Sequence, residues 1–355
     1  MESTKRKMGT KSLIALACAA AIAATPLFSP ARYASAATPY KIINQAIEVQ
    51  GARSDIAALN AYNTTYIAIR SLNKSIGLNT QWDKSKNTVT VEGRGRTIVF
   101  DLGKGTASLN GQADYRLMPI VQNNTTYVPL RYLLEQMGYG VSYDGASKRI
   151  GIEAIAENDL KISNVTIKEE KAKKSIVVNY PQLSGGANAD AEKKINALLK
   201  SEAESNLKAG RKSLDEALGD GTYVPENPLA FEGSYTITYN EKGKLSLFVD
   251  YYIYTGGAHG SVARVPYTFD LSTGDRISLK EAAGNNAKYV SIINSYILGQ
   301  IKARGIGLLT PFKTIEPDRD YFLKHNGIVV YFGQYEYTPY AEGMPEFEVP
   351  FKNFQ

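Results

Sequence analysis

A repeat constrains this chain more than any other feature. Asn63-Thr-Thr-Tyr-Ile-Ala-Ile-Arg70 returns as Asn124-Thr-Thr-Tyr-Val-Pro-Leu-Arg131. The same offset of 61 pairs Leu72 with Leu133, Gly77 with Gly138, Trp82 with Tyr143, Asp83 with Asp144 and Glu92 with Glu153, without a gap over 62–92 and 123–153. Each unit predicts a short strand at Thr-Thr-Tyr, an amphipathic helix carrying the Arg and Leu, a stop at the glycine, and a hairpin through Trp82-Asp83 or Tyr143-Asp144. A lone unit would bury little, so the two halves are expected to share one core.

Around Glu157-Asn158-Asp159 the repeat ends. Strands are expected at 160–167 and 175–180 around a charged turn, with a loop at 181–187. A helix capped by Asp190 follows, with Ile195, Leu198, Leu199, Ala203 and Leu207 on one face and an interruption at Gly210. Further strands fall at 235–239 and 263–270. Tyr289, Ile292, Ile293, Tyr296, Ile297 and Ile301 recur at helical spacing up to Gly305, and His325-Asn-Gly327 reads as a hairpin turn between 321–323 and 328–332.

The stretch Tyr251-Tyr-Ile-Tyr-Thr-Gly-Gly-Ala-His-Gly260 is the leading candidate for a functional edge. Leu245, Leu247, Val249, Tyr251 and Ile253 alternate with Ser246, Phe248, Asp250, Tyr252 and Tyr254, which predicts a strand buried on both faces. It ends where Gly256, Gly257 and Gly260 surround His259, a combination that marks a crowded turn. His259 is either a general base or an imidazole that fixes the loop, and no Ser or Cys motif flanks it as a nucleophile. A second aromatic stretch, 331–343, offers Tyr335, Tyr337 and Tyr340, which either stack on sugars, anchor a protein partner or pack in the sheet. Glu342 accompanies them, and Glu336, Glu342, Glu346 and Glu348 are the candidate acidic patch.

Charge narrows the partner classes. Of 41 Lys and Arg, five lie in residues 1–36, with one of the 35 Asp and Glu, which leaves 36 against 34 and turns the formal +6 into +2. No concentrated basic face remains for phosphates, so nucleic acid is not an expected partner. The discarded segment reads as a signal peptide: Lys5, Arg6, Lys7 and Lys11 precede an apolar run at 13–24, and Ala34-Ser-Ala36 provides small residues for cleavage. The run is too short to span a bilayer, so the mature chain is expected to be secreted with no membrane span. Cys18 is the sole cysteine and lies in this segment, so the mature chain has no disulfide. Asp101-Leu-Gly-Lys-Gly-Thr106 lacks the Lys-Ser/Thr order and helix of a phosphate loop, and Asn110-Gly111 turns it back into a hairpin.

The doubled Thr-Tyr-Val-Pro-Leu-Arg pattern with its Gly and Trp-Asp or Tyr-Asp resembles the stalk domain named after the N-terminal region of copper amine oxidases, over about 42–155. The oxidase activity does not transfer, since that chemistry needs three histidine ligands and a processed tyrosine, and this chain has only His259 and His325. From about 160 to 351, Ile176-Val-Val-Asn-Tyr-Pro-Gln182, Thr255-Gly-Gly-Ala-His-Gly260, Phe269-Asp-Leu-Ser-Thr-Gly274, Gly327-Ile-Val-Val-Tyr-Phe332 and Pro339-Tyr-Ala-Glu-Gly343 resemble the paired domains of unknown function found beside peptidoglycan deacetylases and in the extracellular part of lysozyme-sensing anti-sigma factors. This resemblance implies an α+β fold, an exported, wall-facing setting and, for one branch, lysozyme binding.

The resulting expectation is an α+β protein: a signal peptide at 1–36, a two-repeat β-rich stalk-like domain at 37–157, and an α+β domain in two parts, 158–230 and 231–355, with an antiparallel sheet and two main helices. Its function reads as non-catalytic binding of a lysozyme-type muramidase or peptidoglycan at the cell envelope, with no cofactor and no metal. A hydrolase of wall glycan using His259 and a carboxylate of the C-terminal loop is the alternative.

Overall fold

The structure, a computed structural model, describes residues 39–72, 76–219 and 225–355. The expected leader, with Cys18 and the cleavage site, lies outside the described residues. The two repeat strands, Thr64–Ala68 and Thr125–Pro129, pair antiparallel with Ile67 opposite Val128, so both units enter one seven-stranded sheet. Their hairpins then diverge. Tyr139–Asp144 and Arg149–Ala154 join that sheet by parallel pairing with Ile42–Val49, whereas Asn79–Asp83 and Thr88–Gly93 begin a separate five-stranded sheet. Leu72, Leu133, Val91 and Ile152 nevertheless lie in one buried cluster, the shared core that a single unit could not supply.

The units also differ in helix. The second forms α1 (Leu130–Gln136), while the described residues of the first form only a 3₁₀ turn, Ile69–Ser71. Both chains reverse at a glycine in the left-handed region, Gly77 at φ 79° and Gly138 at φ 82°, where a side chain would be strained.

Beyond the repeat, Lys161–Lys171, Lys174–Ser184, Leu229–Glu241, Lys244–Tyr254 and Ser261–Asp270 form a five-stranded sheet in chain order. It is antiparallel except between Lys174–Ser184 and Leu229–Glu241, which run parallel because α2 (Ala189–Leu218) connects them. α2 passes through Gly210 without interruption. A Cβ there would stand 2.4 Å from the Phe231 ring, so this glycine lets the helix lie against the sheet and does not break it. The cap is Asn188 and not Asp190, its side-chain oxygen accepting from the N–H groups of Asp190 and Ala191. The strand also continues through Pro181 to Ser184, where a loop was expected. Its pairing with the parallel neighbour ends at Val178, so the missing N–H of Pro181 breaks no ladder bond on that side.

The strand Lys244–Tyr254 is buried on both faces, as its alternation predicts. Leu245, Leu247 and Val249 pack with Ile195 and Leu199 of α2. Phe248, on the other face, meets Phe322 at 5.0 Å in a three-stranded sheet of Tyr321–Lys324, Gly327–Tyr331 and Glu346–Pro350. A short helix absent from the sequence reading, α3 (Leu279–Ala282), is started by a Ser278 and Glu281 capping box. α4 (Tyr289–Arg304) covers the far side of the small sheet with Ile293 and Ile297 and ends at Gly305, φ 64°. Among the described residues no helix is long and apolar enough to cross a membrane.

Polar side chains tie the repeat region to the rest. The buried Gln112 amide donates to the Tyr235 carbonyl at 2.8 Å and accepts its N–H at 3.1 Å, capping the strand edge that Lys174–Ser184 leaves uncovered. Glu157 binds Arg94 and Arg96. His325 is more than a hairpin residue: its Nδ1 lies 2.9 Å from Glu241 and its Nε2 3.6 Å from Glu153 across the junction. Gly327 opens the next strand, where a Cβ would meet the Val349 carbonyl at 2.4 Å.

Candidate functional site

The glycine turn at 255–260 joins two adjacent strands at one end of the sheet. Gly256 and Gly257 have φ of 97° and 94°, outside the range of other L residues, and Gly260 is buried with its Cα so close to Tyr252 that a Cβ would lie 2.3 Å from that ring. These requirements push His259 outward, where it is exposed. Its Nδ1 lies 3.0 Å from the Gly260 carbonyl, and its ring stacks on Tyr340 with centroids 4.0 Å apart and planes 25° apart.

Tyr335 completes the cluster. Its hydroxyl is 3.5 Å from His259 Nε2 and its ring 5.8 Å from Tyr340. The loop that carries it is fixed on two sides. Gln334 accepts the Val262 N–H at 3.0 Å, and the Glu336 carboxylate accepts the Gly333 N–H at 2.7 Å while binding Arg319 Nη2 at 2.6 Å. Tyr335 itself sits at φ 63° and is half exposed.

The structure thus brings together His259, Tyr335 and Tyr340 and sets two other candidates apart. Tyr337 turns inward, its ring 4.5 Å from Phe332 and 5.5 Å from Phe312, as part of the apolar support under the loop. Glu342 is exposed at the end of the 3₁₀ turn Tyr340–Glu342, outside the ring stack.

The acidic patch expected from Glu336, Glu342, Glu346 and Glu348 is largely neutralised. Arg319 takes Glu336, and Glu346 accepts from Arg264 Nη1 at 2.7 Å with Lys324 Nζ 3.6 Å away. Burial raises the Glu346 carboxyl, but Lys324 and Arg264 outweigh it and hold the group below the usual carboxylate range. Glu348 is pushed up, chiefly by burial. Carboxylates also line an open groove of about 400 Å³ that includes Gln334, where Glu316, Asp318, Asp320 and Glu336 stand with Arg264 and Arg319, and Arg319 pairs with both Glu316 and Glu336. Sequence reasoning missed Gln334, Arg264 and Arg319, since their partners lie up to 82 residues away.

The hydrolase alternative calls for a carboxylate from the C-terminal loop beside His259. Among the described residues His259 meets a carbonyl, a phenol and a ring, and no carboxylate orients it as a base. Among the described residues, no group of three or more His, Cys, Asp or Glu side chains is placed to hold a metal ion.

A repeat-built β region of the stalk type followed by an α+β region is the class that this fold defines, and family profiles match its successive parts. The copper amine oxidase N-terminal domain matches 46–152 and again 112–180, Deacetylase PdaC matches 167–262, and the Protein of unknown function (DUF3298) family matches 283–352. The chain is similar to the Anti-sigma-V factor RsiV of Bacillus subtilis (strain 168), 27% identical over 222 residues that cover 59% of this chain and 74% of that protein. Two solved DUF3298 structures are more distant. One from Bacteroides fragilis has 17% identity and a TM-score of 0.43 over 55% of this chain and 92% of its own. One from Pseudomonas aeruginosa has 16% identity and a TM-score of 0.36 over 56% and 93%.

Proposed function

We propose that this protein is an exported, non-catalytic binding protein of the cell envelope, and that its α+β region recognises a basic lysozyme-type muramidase through His259, Tyr335 and Tyr340. Gly256, Gly257 and Gly260 shape that surface, Glu342 lies at its rim, and Tyr337 supports it from below. The division at 157/158, with 158–230 and 231–355 as the two parts of the recognition region, belongs to the same proposal.

The observation that carries this reading is the convergence of two segments 76 residues apart on one exposed ring cluster beside a carboxylate-lined groove. Loops fixed on a rigid sheet are where recognition is usually carried, and a groove with more carboxylates than guanidiniums suits a cationic partner even on a chain of balanced charge. Similarity to an anti-sigma factor supports the reading, as does the lysozyme binding that the family resemblance implies for one branch. A wall glycan is the second reading, favoured by the open ring faces.

Calorimetric titration of the purified protein with a muramidase tests it. Saturable heat at protein concentrations of about 100 µM or below supports the proposal, and none at that concentration removes the muramidase. Soluble fragments released from purified peptidoglycan would instead overturn the non-catalytic reading.

A further inference from the structure

Both repeat turns have the same backbone: residues 62 and 63 have φ of 51° and 57°, and residues 123 and 124 have 51° and 56°. The second unit fills its turn with Asn123-Asn124, the residue type that tolerates this region best. The first unit places Tyr62 there. A bulky aromatic residue in the left-handed region is an outlier, and Tyr62 gains no burial from it, being 72% exposed.

One aromatic neighbour, itself packed against the buried cluster of Leu59, Tyr66 and Tyr127, meets that ring. Tyr40 faces it edge-on, with centroids 6.3 Å apart and planes at 64°. Tyr40 is clamped in turn by the Gln122 side chain, which accepts its N–H at 2.8 Å and donates to its carbonyl at 2.9 Å. The adjoining stretches 60–66 and 120–127 contain no charged residue, only amides, hydroxyls, apolar side chains and further tyrosines. Thr65 Oγ1 donates to Asn60 Oδ1 at 3.0 Å. Lys41 is the charge nearest in sequence to Tyr40.

We infer that Tyr62 and Tyr40 form a docking site for a neutral pyranose glycan of the hexose or N-acetylhexosamine type, so that the repeat region binds as well as spaces. Flat ring faces match the apolar faces of a sugar, and neutral amides and hydroxyls match its hydroxyl and acetamido groups. A lipid headgroup surface or a nucleic acid would call for clustered cations, which these stretches lack.

The test is retention of the purified protein on insoluble N-acetylglucosamine polymer, on purified peptidoglycan sacculi, on cellulose and on anionic lipid vesicles. Wild type should be held by the first two, or by cellulose if the site takes plain hexose, and Tyr62→Asn should weaken that retention at least about tenfold. Because Tyr62→Asn installs the residue of the second repeat, its melting temperature should match or exceed that of wild type. Equal retention of both proteins overturns the proposal, as does binding to vesicles alone, no retention of wild type, or a less stable Tyr62→Asn. Muramidase titration of the same variant separates the two proposals: its affinity is unchanged if the surfaces are independent.

Discussion

Two tyrosines, Tyr62 at φ 51° and Tyr335 at φ 63°, occupy left-handed backbone in different regions of the molecule, and both are exposed. The conformation costs a non-glycine residue roughly 1–2 kcal/mol, and neither ring recovers that by burial. Their surroundings differ. Tyr335 stands next to His259, Tyr340 and a groove lined by charged side chains, on a loop held by the Glu336 and Arg319 pair. Tyr62 stands in a stretch without charged residues, against a tyrosine clamped by Gln122. The difference separates the two proposals: similar backbone strain exposes an aromatic ring in both places, and the surroundings assign a charged protein to Tyr335 and a neutral glycan to Tyr62.

The largest effect expected is on the support of the charged site. Phe332 is fully buried against Phe312, Tyr337 and Phe347, and Phe332→Ala should destabilise the protein by about 3–5 kcal/mol in urea unfolding. Muramidase binding should then fail at denaturant concentrations where the wild type still binds. Salt divides the two sites next. Raising ionic strength from 0.05 to 0.5 M should lower muramidase affinity about tenfold and leave glycan retention unaffected. Equal salt sensitivity would erase the contrast. A smaller effect comes from relieving the strain: Tyr335→Asn should raise stability by up to about 1 kcal/mol while weakening the muramidase, and a loss of stability would show that the ring is structural.

The smallest effect is that of acid. The folded pKa of Glu346 is lowered, so its ion pairs contribute fully above the unfolded carboxylate value of about 4.3 and are lost as pH falls through the folded value. Because Glu346 keeps about a third of its side chain exposed, although Arg264 is buried, its pairs should account for less than about 1 kcal/mol, read as the difference between wild type and Glu346→Gln when unfolding is compared at pH 6 and pH 3. A constant difference would detach Glu346 from the pH response.

Much of the scaffold was legible because it depends on local pattern. The repeat offset gave the two Thr-Thr-Tyr strands and their shared core, Gly77 and Gly138 gave the reversals, and period-two alternation gave the twice-buried strand Lys244–Tyr254. Gly210 misled because a helical glycine looks the same whether it breaks a helix or admits a ring such as Phe231. The site was half legible. Three glycines around His259 and the tyrosine-rich 331–343 stretch each signalled an unusual turn, but nothing local states that the two would meet. Which tyrosine turns inward depends on Phe312, and which glutamate is neutralised depends on Arg264 and Lys324, so those outcomes were set by tertiary pairing.

The central claim is that the ring cluster of His259, Tyr335 and Tyr340 exists to bind and not to hold the fold. Tyr340→Ala tests it most directly, with calorimetric titration by a muramidase set beside urea unfolding of the same sample. The account predicts an unfolding free energy within about 1 kcal/mol of wild type, as for a surface substitution, and an affinity at least about tenfold weaker. Unchanged affinity in a fully folded Tyr340→Ala protein would contradict it.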